Sequence, residues 1–198
     1  MEQSLNTTIY QSTRFILRGI VLLTLFFITS CSAFAATYYS RVATGTFTTL
    51  ATWSTSRTGT PINATALAAG DIFIIQTGNN ITLATVTAAS VTIESGGTLT
   101  SAIATLNSPL TIDSGGTLNL STINALTMGT GGNVTNNGTI SGTSGRLTMG
   151  VNTLTNNGSF SLSTGRLTRT TGAVTNNGSI SFSGNGQFTS SSNGVFTN

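Results

Sequence analysis

The sequence predicts an all-β protein, a right-handed parallel β-helix (β-solenoid) with rungs of about 20 residues and an N-terminal cap. Three observations predict it. The phrase Thr135-Asn136-Asn137-Gly138 returns as Thr155-Asn156-Asn157-Gly158 and as Thr175-Asn176-Asn177-Gly178, a period of 20 residues in both steps. Between these phrases lie short triplets in which a Thr is flanked by apolar residues, the pattern of a strand with one buried face. Finally, only 6% of the residues are charged, yet β-branched and aromatic residues recur at regular places, which separates the chain from low-complexity disorder.

Residues 1–35 read as a signal peptide. Arg14 and Arg18 precede an uncharged run whose apolar heart, Ile20 to Ile28, is far shorter than the roughly 20 residues that a membrane-spanning helix needs. Ala33-Phe34-Ala35 supplies a small-x-small cleavage site, so the mature chain is expected to begin at Ala36. A rival reading makes Cys31 a lipidated N-terminus. Cleavage after Ala35 removes the only cysteine, and the sequence has no histidine. The mature chain then holds Arg41, Arg57, Arg146, Arg166 and Arg169 against Asp71, Glu94 and Asp113, five cations less three anions, for a net charge of +2. Five scattered arginines make no phosphate-binding surface, so nucleic acid is not expected as a partner.

Residues 36–70 depart from the repeat. They carry Tyr38-Tyr39, the only Trp (Trp53) and Pro61, and read as an N-terminal capping segment in which Trp53 plugs an otherwise open core. From residue 71 to 198 the chain is expected to form the β-helix repeats. The aligned triplets begin at Val91, Leu110, Leu126, Leu147, Leu167 and Phe188, with spacings of 19, 16, 21, 20 and 21 residues. Alternation sends the first and third residue of each triplet inward and the central Thr outward. Two further strands per rung follow, one at Val134-Thr135-Asn136 and its repeats, the other at Thr139-Ile140-Ser141, Ser159-Phe160-Ser161 and Ser179-Ile180-Ser181 with the central residue inside. The Asn-Asn-Gly between them is expected to turn through left-handed backbone angles and to stack its Asn side chains along the axis, and Ser-Gly-Gly-Thr at 95–98 and 114–117 to play the same part earlier. Val195-Phe196-Thr197-Asn198 begins the corner once more and stops, so the natural protein is expected to continue into downstream domains.

The stretch Tyr38-Tyr39-Ser40-Arg41, Ala51-Thr52-Trp53-Ser54, Ala69 to Ile75 and Gly78-Asn79-Asn80-Ile81-Thr82-Leu83 resembles the start of large secreted β-helix repeat proteins of the Bacteroidetes. The order of Trp, Gly-Asp with an apolar strand, and Gly-x-x-Ile-Thr-Leu is also similar to the G8 domain, a β-rich module of cell-surface proteins. The resemblance covers roughly residues 38–120 and implies a secreted or cell-surface protein, on the bacterial outer surface. No C-terminal sorting domain of that family is present in this sequence.

Three constellations bear on chemistry. Glu94 and Asp113 each follow an inward Ile, which places them side by side about 4.8 Å apart, as a calcium site or a retaining glycosidase pair would require. The residue aligned with them in the next rung is Gly129, and no Arg or Lys lies near either acid in sequence, so solvated turn residues are the preferred reading. Arg146 and Arg166 stack with Gln187 next in line, suited either to an acidic glycan or to blunting a strand edge, and the second is preferred. Asp71 reads as a turn-former. The hydroxyl files Thr139, Ser159, Ser179 and Ser141, Ser161, Ser181 resemble the flat face of an ice-binding solenoid, but Ser and Thr also simply suit exposed strands.

The expected function is a non-enzymatic secreted or cell-surface structural or adhesive β-helix stalk, with no catalytic, cofactor or metal residues in this stretch. A carbohydrate-active β-helix, lyase or hydrolase, with its site mostly outside the fragment, is the alternative, and an ice-binding solenoid the second. An extracellular glycan or another surface protein is the expected partner, with no membrane insertion of the mature chain.

Overall fold

The computed structural model describes residues 35–58, 64–120, 125–192 and 194–198. Residues 1–34 of the expected signal peptide 1–35, with Cys31, and Pro61 of the expected cap lie outside the described residues. The rest is a β-solenoid of about six turns with rungs of about 20 residues. No α-helix occurs among the described residues.

Three sheets of nine, seven and six strands form the faces. The first sheet runs from Trp53–Ser54 and Thr37–Ser40 through Ile72–Ile75, Ser90–Ile93, Leu110–Ile112, Val134–Asn136, Leu154–Asn156 and Val174–Asn176 to Phe196–Thr197. The second takes Thr44–Thr46, Asn80–Thr82, Thr98–Thr100, Thr117–Asn119, Thr139–Gly142, Ser159–Leu162 and Ser179–Phe182. The third takes Val86–Thr87, Ala104–Asn107, Ala125–Met128, Arg146–Gly150, Arg166–Arg169 and Gln187–Ser190. Every pairing is parallel except that of Trp53–Ser54 with Thr37–Ser40. Nine strands at about 4.8 Å spacing make a rod nearly 40 Å long.

Alternation works as expected on all three faces. Val91, Ile93, Leu110, Ile112, Leu126, Leu147 and Leu167 are at most 1% exposed, while Thr92, Thr111, Thr127, Thr148 and Thr168 are only partly buried and point outward. The alignment of triplets was mistaken at one step. Val91 and Leu110 belong to the first sheet, whereas Leu126, Leu147, Leu167 and Phe188 belong to the third. Leu110 pairs with Val134, and Leu126 with Ala104. The 16-residue spacing thus joined two different faces. Each face uses the same apolar-Thr-apolar triplet, because a half-buried strand has the same alternation wherever it lies, so the triplet cannot say which face it is on.

The segment 36–70 is both cap and first coil. Thr37–Ser40 pairs in parallel with Ile72–Ile75, and Thr44–Thr46 with Asn80–Thr82, so two faces of the solenoid begin before residue 71. Trp53 closes the end as expected: it is fully buried, its ring centroid 4.9 Å from that of Phe47 and 4.8 Å from that of Phe73. Its indole Nε1–H donates to the Phe47 carbonyl at 2.6 Å, which satisfies the one polar atom that this burial would orphan. The short strand Trp53–Ser54 runs antiparallel across the edge of the first sheet and covers its unpaired backbone groups.

Arg169 is the inward third residue of its triplet and is buried. Its guanidinium donates to the carbonyls of Gly172 and Val195 at 2.9 and 2.5 Å and lies 5.3 Å from the centroid of the Phe188 ring. It therefore does not belong with the exposed arginines. Its position in the triplet was the signal.

Candidate functional site

The first two sheets meet at a corner, and that corner carries the polar side chains of most interest. In its early rungs, Ser40, Arg41, Arg57, Gln76, Asn79 and Glu94 line a cleft of about 380 Å³. Its floor is the buried Ser40, whose Oγ accepts from the Gln76 backbone N–H at 2.8 Å and from Asn79 Nδ2 at 2.7 Å. The Ser40 carbonyl accepts from Gln76 Nε2 and Asn79 Nδ2, at 2.6 and 2.9 Å. One wall is Arg57, brought over the corner by the turn that follows Trp53–Ser54 and stacked 4.7 Å above the centroid of Tyr39.

Arg57 and Glu94 form a bidentate pair, Nη1 to Oε2 at 2.8 Å and Nη2 to Oε1 at 2.5 Å. The hydrogen bond to Glu94 raises the Arg57 pKa above its ordinary value, with the Glu94 and Tyr39 charges acting in the same direction. The Arg57 side chain is 46% exposed, so the pair contributes little to stability. Its chemical consequence is larger. With both oxygens occupied, Glu94 is neither a free base nor an available calcium ligand as it stands. Sequence distance hid this contact, because Arg57 lies 37 residues from Glu94.

The column that contains Glu94 and Asp113 does not pass to Gly129. Ile112 pairs with Asn136, so the residue beyond Asp113 is Asn137, followed by Asn157 and Asn177. Asn157 Nδ2 donates to Asn137 Oδ1, and Asn177 Nδ2 to Asn157 Oδ1, both at 2.8 Å. The stacked Asn ladder is therefore present on the outside of the corner. A second ladder runs inside it: Asn136 donates to Asn156 at 2.6 Å, Asn156 to Asn176 at 2.7 Å and Asn176 to Asn198 at 2.5 Å. Asn136 and Asn156 are fully buried, and their amides also donate to the Ser159 and Ser179 carbonyls.

The expected left-handed angles are found in only one of the two corner types. Gly96 and Gly115, in Ser-Gly-Gly-Thr, have φ of 75° and 84°, while no Asn among the described residues has a positive φ, nor do Gly138, Gly158 and Gly178. Glycine is needed in Asn-Asn-Gly for a different reason. A Cβ on Gly158 would run into the Gly138 carbonyl oxygen, and one on Gly178 into that of Gly158.

The second sheet is flat in register over all its strands. Its outward positions form two files, Thr44, Asn80, Thr98, Thr117, Thr139, Ser159, Ser179 and Thr46, Thr82, Thr100, Asn119, Ser141, Ser161, Ser181. The files thus extend four strands beyond the three expected at Thr139–Ser141, Ser159–Ser161 and Ser179–Ser181. The Thr-x-Thr at 44–46 and 98–100 was the signal for the rest. In the third sheet Arg146 and Arg166 are direct neighbours, both exposed, with Arg166 Nη2 donating to Gln187 Oε1 at 3.2 Å. Asp71 is the turn-former expected: its carboxylate accepts the Ala68 N–H at 2.6 Å. Among the described residues no group of three or more His, Cys, Asp or Glu gathers to hold a metal ion. Comparison of the chain with protein families, with curated proteins and with solved structures returned no match.

Proposed function

We propose that this chain is a non-enzymatic structural or adhesive stalk, secreted or displayed on a bacterial surface. The observation that carries this reading is the pair of asparagine ladders. The inner one links Asn136, Asn156, Asn176 and Asn198 side chain to side chain along the axis, in addition to the backbone bonds of three sheets. Axial bonding of this kind gives a narrow rod lengthwise stiffness, a property suited to projecting a surface rather than to enclosing a substrate. The export-like segment at 1–35 and the resemblance of residues 38–120 to surface β-helix proteins support the location, with an extracellular glycan or a surface protein as partner. Glycan-array binding measured beside lyase and hydrolase assays on the purified protein tests it. Turnover abolished by Glu94→Gln or Asp113→Asn would replace the stalk reading with the carbohydrate-active one.

A second reading has its own observation. The two outward files, hydroxyl residues except for Asn80 in one and Asn119 in the other, run through seven strands without a register shift, an array that could match a repetitive solid surface such as ice. Thermal hysteresis that disappears in Thr98→Tyr and Ser159→Tyr variants would favour it. Hysteresis no greater than that of an unrelated protein at the same concentration would dismiss it.

A further inference from the structure

Among the described residues Asp71 is the acid with the least contact with solvent, at 4% exposure. A buried carboxylate is costly unless its charge is matched. Among the described residues the one ion pair is Arg57 with Glu94, and Asp71 faces no Arg. Its Oδ2 takes the Ala68 N–H of its own turn. Its Oδ1 takes the N–H of Ala36 at 2.9 Å, across 35 residues of chain. Ala36 is in turn held in place, because its carbonyl accepts the Ile72 N–H at 2.8 Å and the strand Thr37–Ser40 follows at once. Ala35, one residue earlier, is exposed.

The nitrogen facing Asp71 is thus the one that cleavage after Ala33-Phe34-Ala35 would set free. We propose that Ala35–Ala36 is a processing site, and that the α-ammonium released on Ala36 is the charge partner for which the buried Asp71 carboxylate is placed. The step is a hydrolysis by an endopeptidase of the export route. Water's oxygen goes to the Ala35 carbonyl carbon, the C–N bond breaks, and both protons of that water pass to the nitrogen of Ala36, leaving a carboxylate on Ala35 and an ammonium on Ala36. Before the cut Asp71 meets a neutral amide. After the cut the same nitrogen carries a full positive charge, which adds the attraction of an ion pair to the hydrogen bond already made. Cleavage therefore ties the start of the first strand to the turn that opens the second rung. Tyr38 is the titratable group that feels this carboxylate: burial first, and then the Asp71 charge, push its phenol up, so it stays neutral and donates to the Ala66 carbonyl at 2.9 Å. The inference rests on the export signal read in residues 1–35 and not on the stalk reading, so either can fail alone.

The sequence offers an unusually clean test, because it contains no lysine and the processed chain would hold a single primary amine. The full chain is expressed with export in a bacterial host and the recovered protein analysed by N-terminal sequencing and intact mass. A start at Ala36 is expected. Recovery starting at Cys31, or with residues 1–35 attached, overturns the proposal. The native protein is then treated with an amine-acetylating ester. Pairing of opposite charges raises an amine pKa by roughly one to three units, so acetylation near neutral pH is expected to be at least about tenfold slower than in Asp71→Asn. Acetylated protein is expected to unfold at lower urea than the free amine form, with the difference absent in Asp71→Asn. Should that variant fail to fold, the wild-type amine is labelled by reductive ¹³C-methylation and titrated by NMR. A midpoint at the ordinary value of about 7.7 to 8 overturns the pairing.

Discussion

The corner between the first and second sheets is built in two ways within one molecule. In the early rungs the inward residue before the bend is Ile93 or Ile112, and four residues, 94–97 or 113–116, make the turn. Gly97 N–H donates to the Glu94 carbonyl and Gly116 N–H to that of Asp113, at 2.9 and 2.8 Å, with Gly96 and Gly115 left-handed at the third position, the arrangement of a type II turn. In the later rungs the inward residue is Asn136, Asn156 or Asn176, and only two residues bend the chain. There the turn has no bond of its own of that kind. Instead Asn136 Oδ1 accepts the Gly138 N–H at 3.2 Å, and its amide donates to the next Asn. A loose corner satisfies its backbone locally and can keep an apolar core residue. A tight corner cannot: its glycine N–H goes to the Asn136 side chain in the first of these rungs and to the Asn136 and Asn156 backbone carbonyls of the rung before in the next two.

The two corners should therefore break differently. Asn156→Ala removes the acceptor of Asn136 and the donor to Asn176, and leaves buried polar atoms unpaired, for an expected loss of about 2–4 kcal/mol in the urea midpoint analysis. Asn156→Ile, which restores the residue type of the early rungs, should lose a similar amount. Stability equal to the parent would show that bulk alone matters there. Next in size is Gly158→Ala, where the obstacle is backbone that cannot swing away, at about 1–3 kcal/mol. Gly96→Ala should lose about 1–2 kcal/mol, because its fault is a left-handed φ rather than a collision with backbone. Asn in place of Gly sharpens this contrast: Gly96→Asn is expected to recover part of the loss and Gly158→Asn none of it. The smallest effect belongs to Asn157→Ala in the outer, exposed ladder, within about 0.5 kcal/mol in the same unfolding assay.

The same contrast explains what could be read along the chain. That Asn side chains would stack was legible, because three identical phrases at one period put like beside like. The division into an inner and an outer ladder was not anticipated, because both Asn were assigned to the turn, whereas alternation carried on from the inward Val134 puts Asn136 inside as well. The backbone angle of Asn-Asn-Gly was not legible. Both a left-handed turn and a close approach of successive rungs select glycine, and the residue type does not say which. Trp53 was legible as a plug because the only Trp lies outside the repeat, in the segment that has to cover the open end of the core. The cleft at Ser40, Arg57 and Glu94 was not.

The sequence by itself determined the repeat length, the solenoid and the inward or outward direction of nearly every strand residue, because alternation is a property of three consecutive residues and needs no partner. Only the tertiary structure decided which face a triplet occupies and which side chains meet between rungs. Axial neighbours lie about 20 residues apart, and their register depends on the summed lengths of three corners, one of which shrinks from four residues to two between Asp113 and Asn137. For that reason the contacts of greatest consequence, Arg57 with Glu94 and Asp71 with the nitrogen of Ala36, join residues that no local pattern relates.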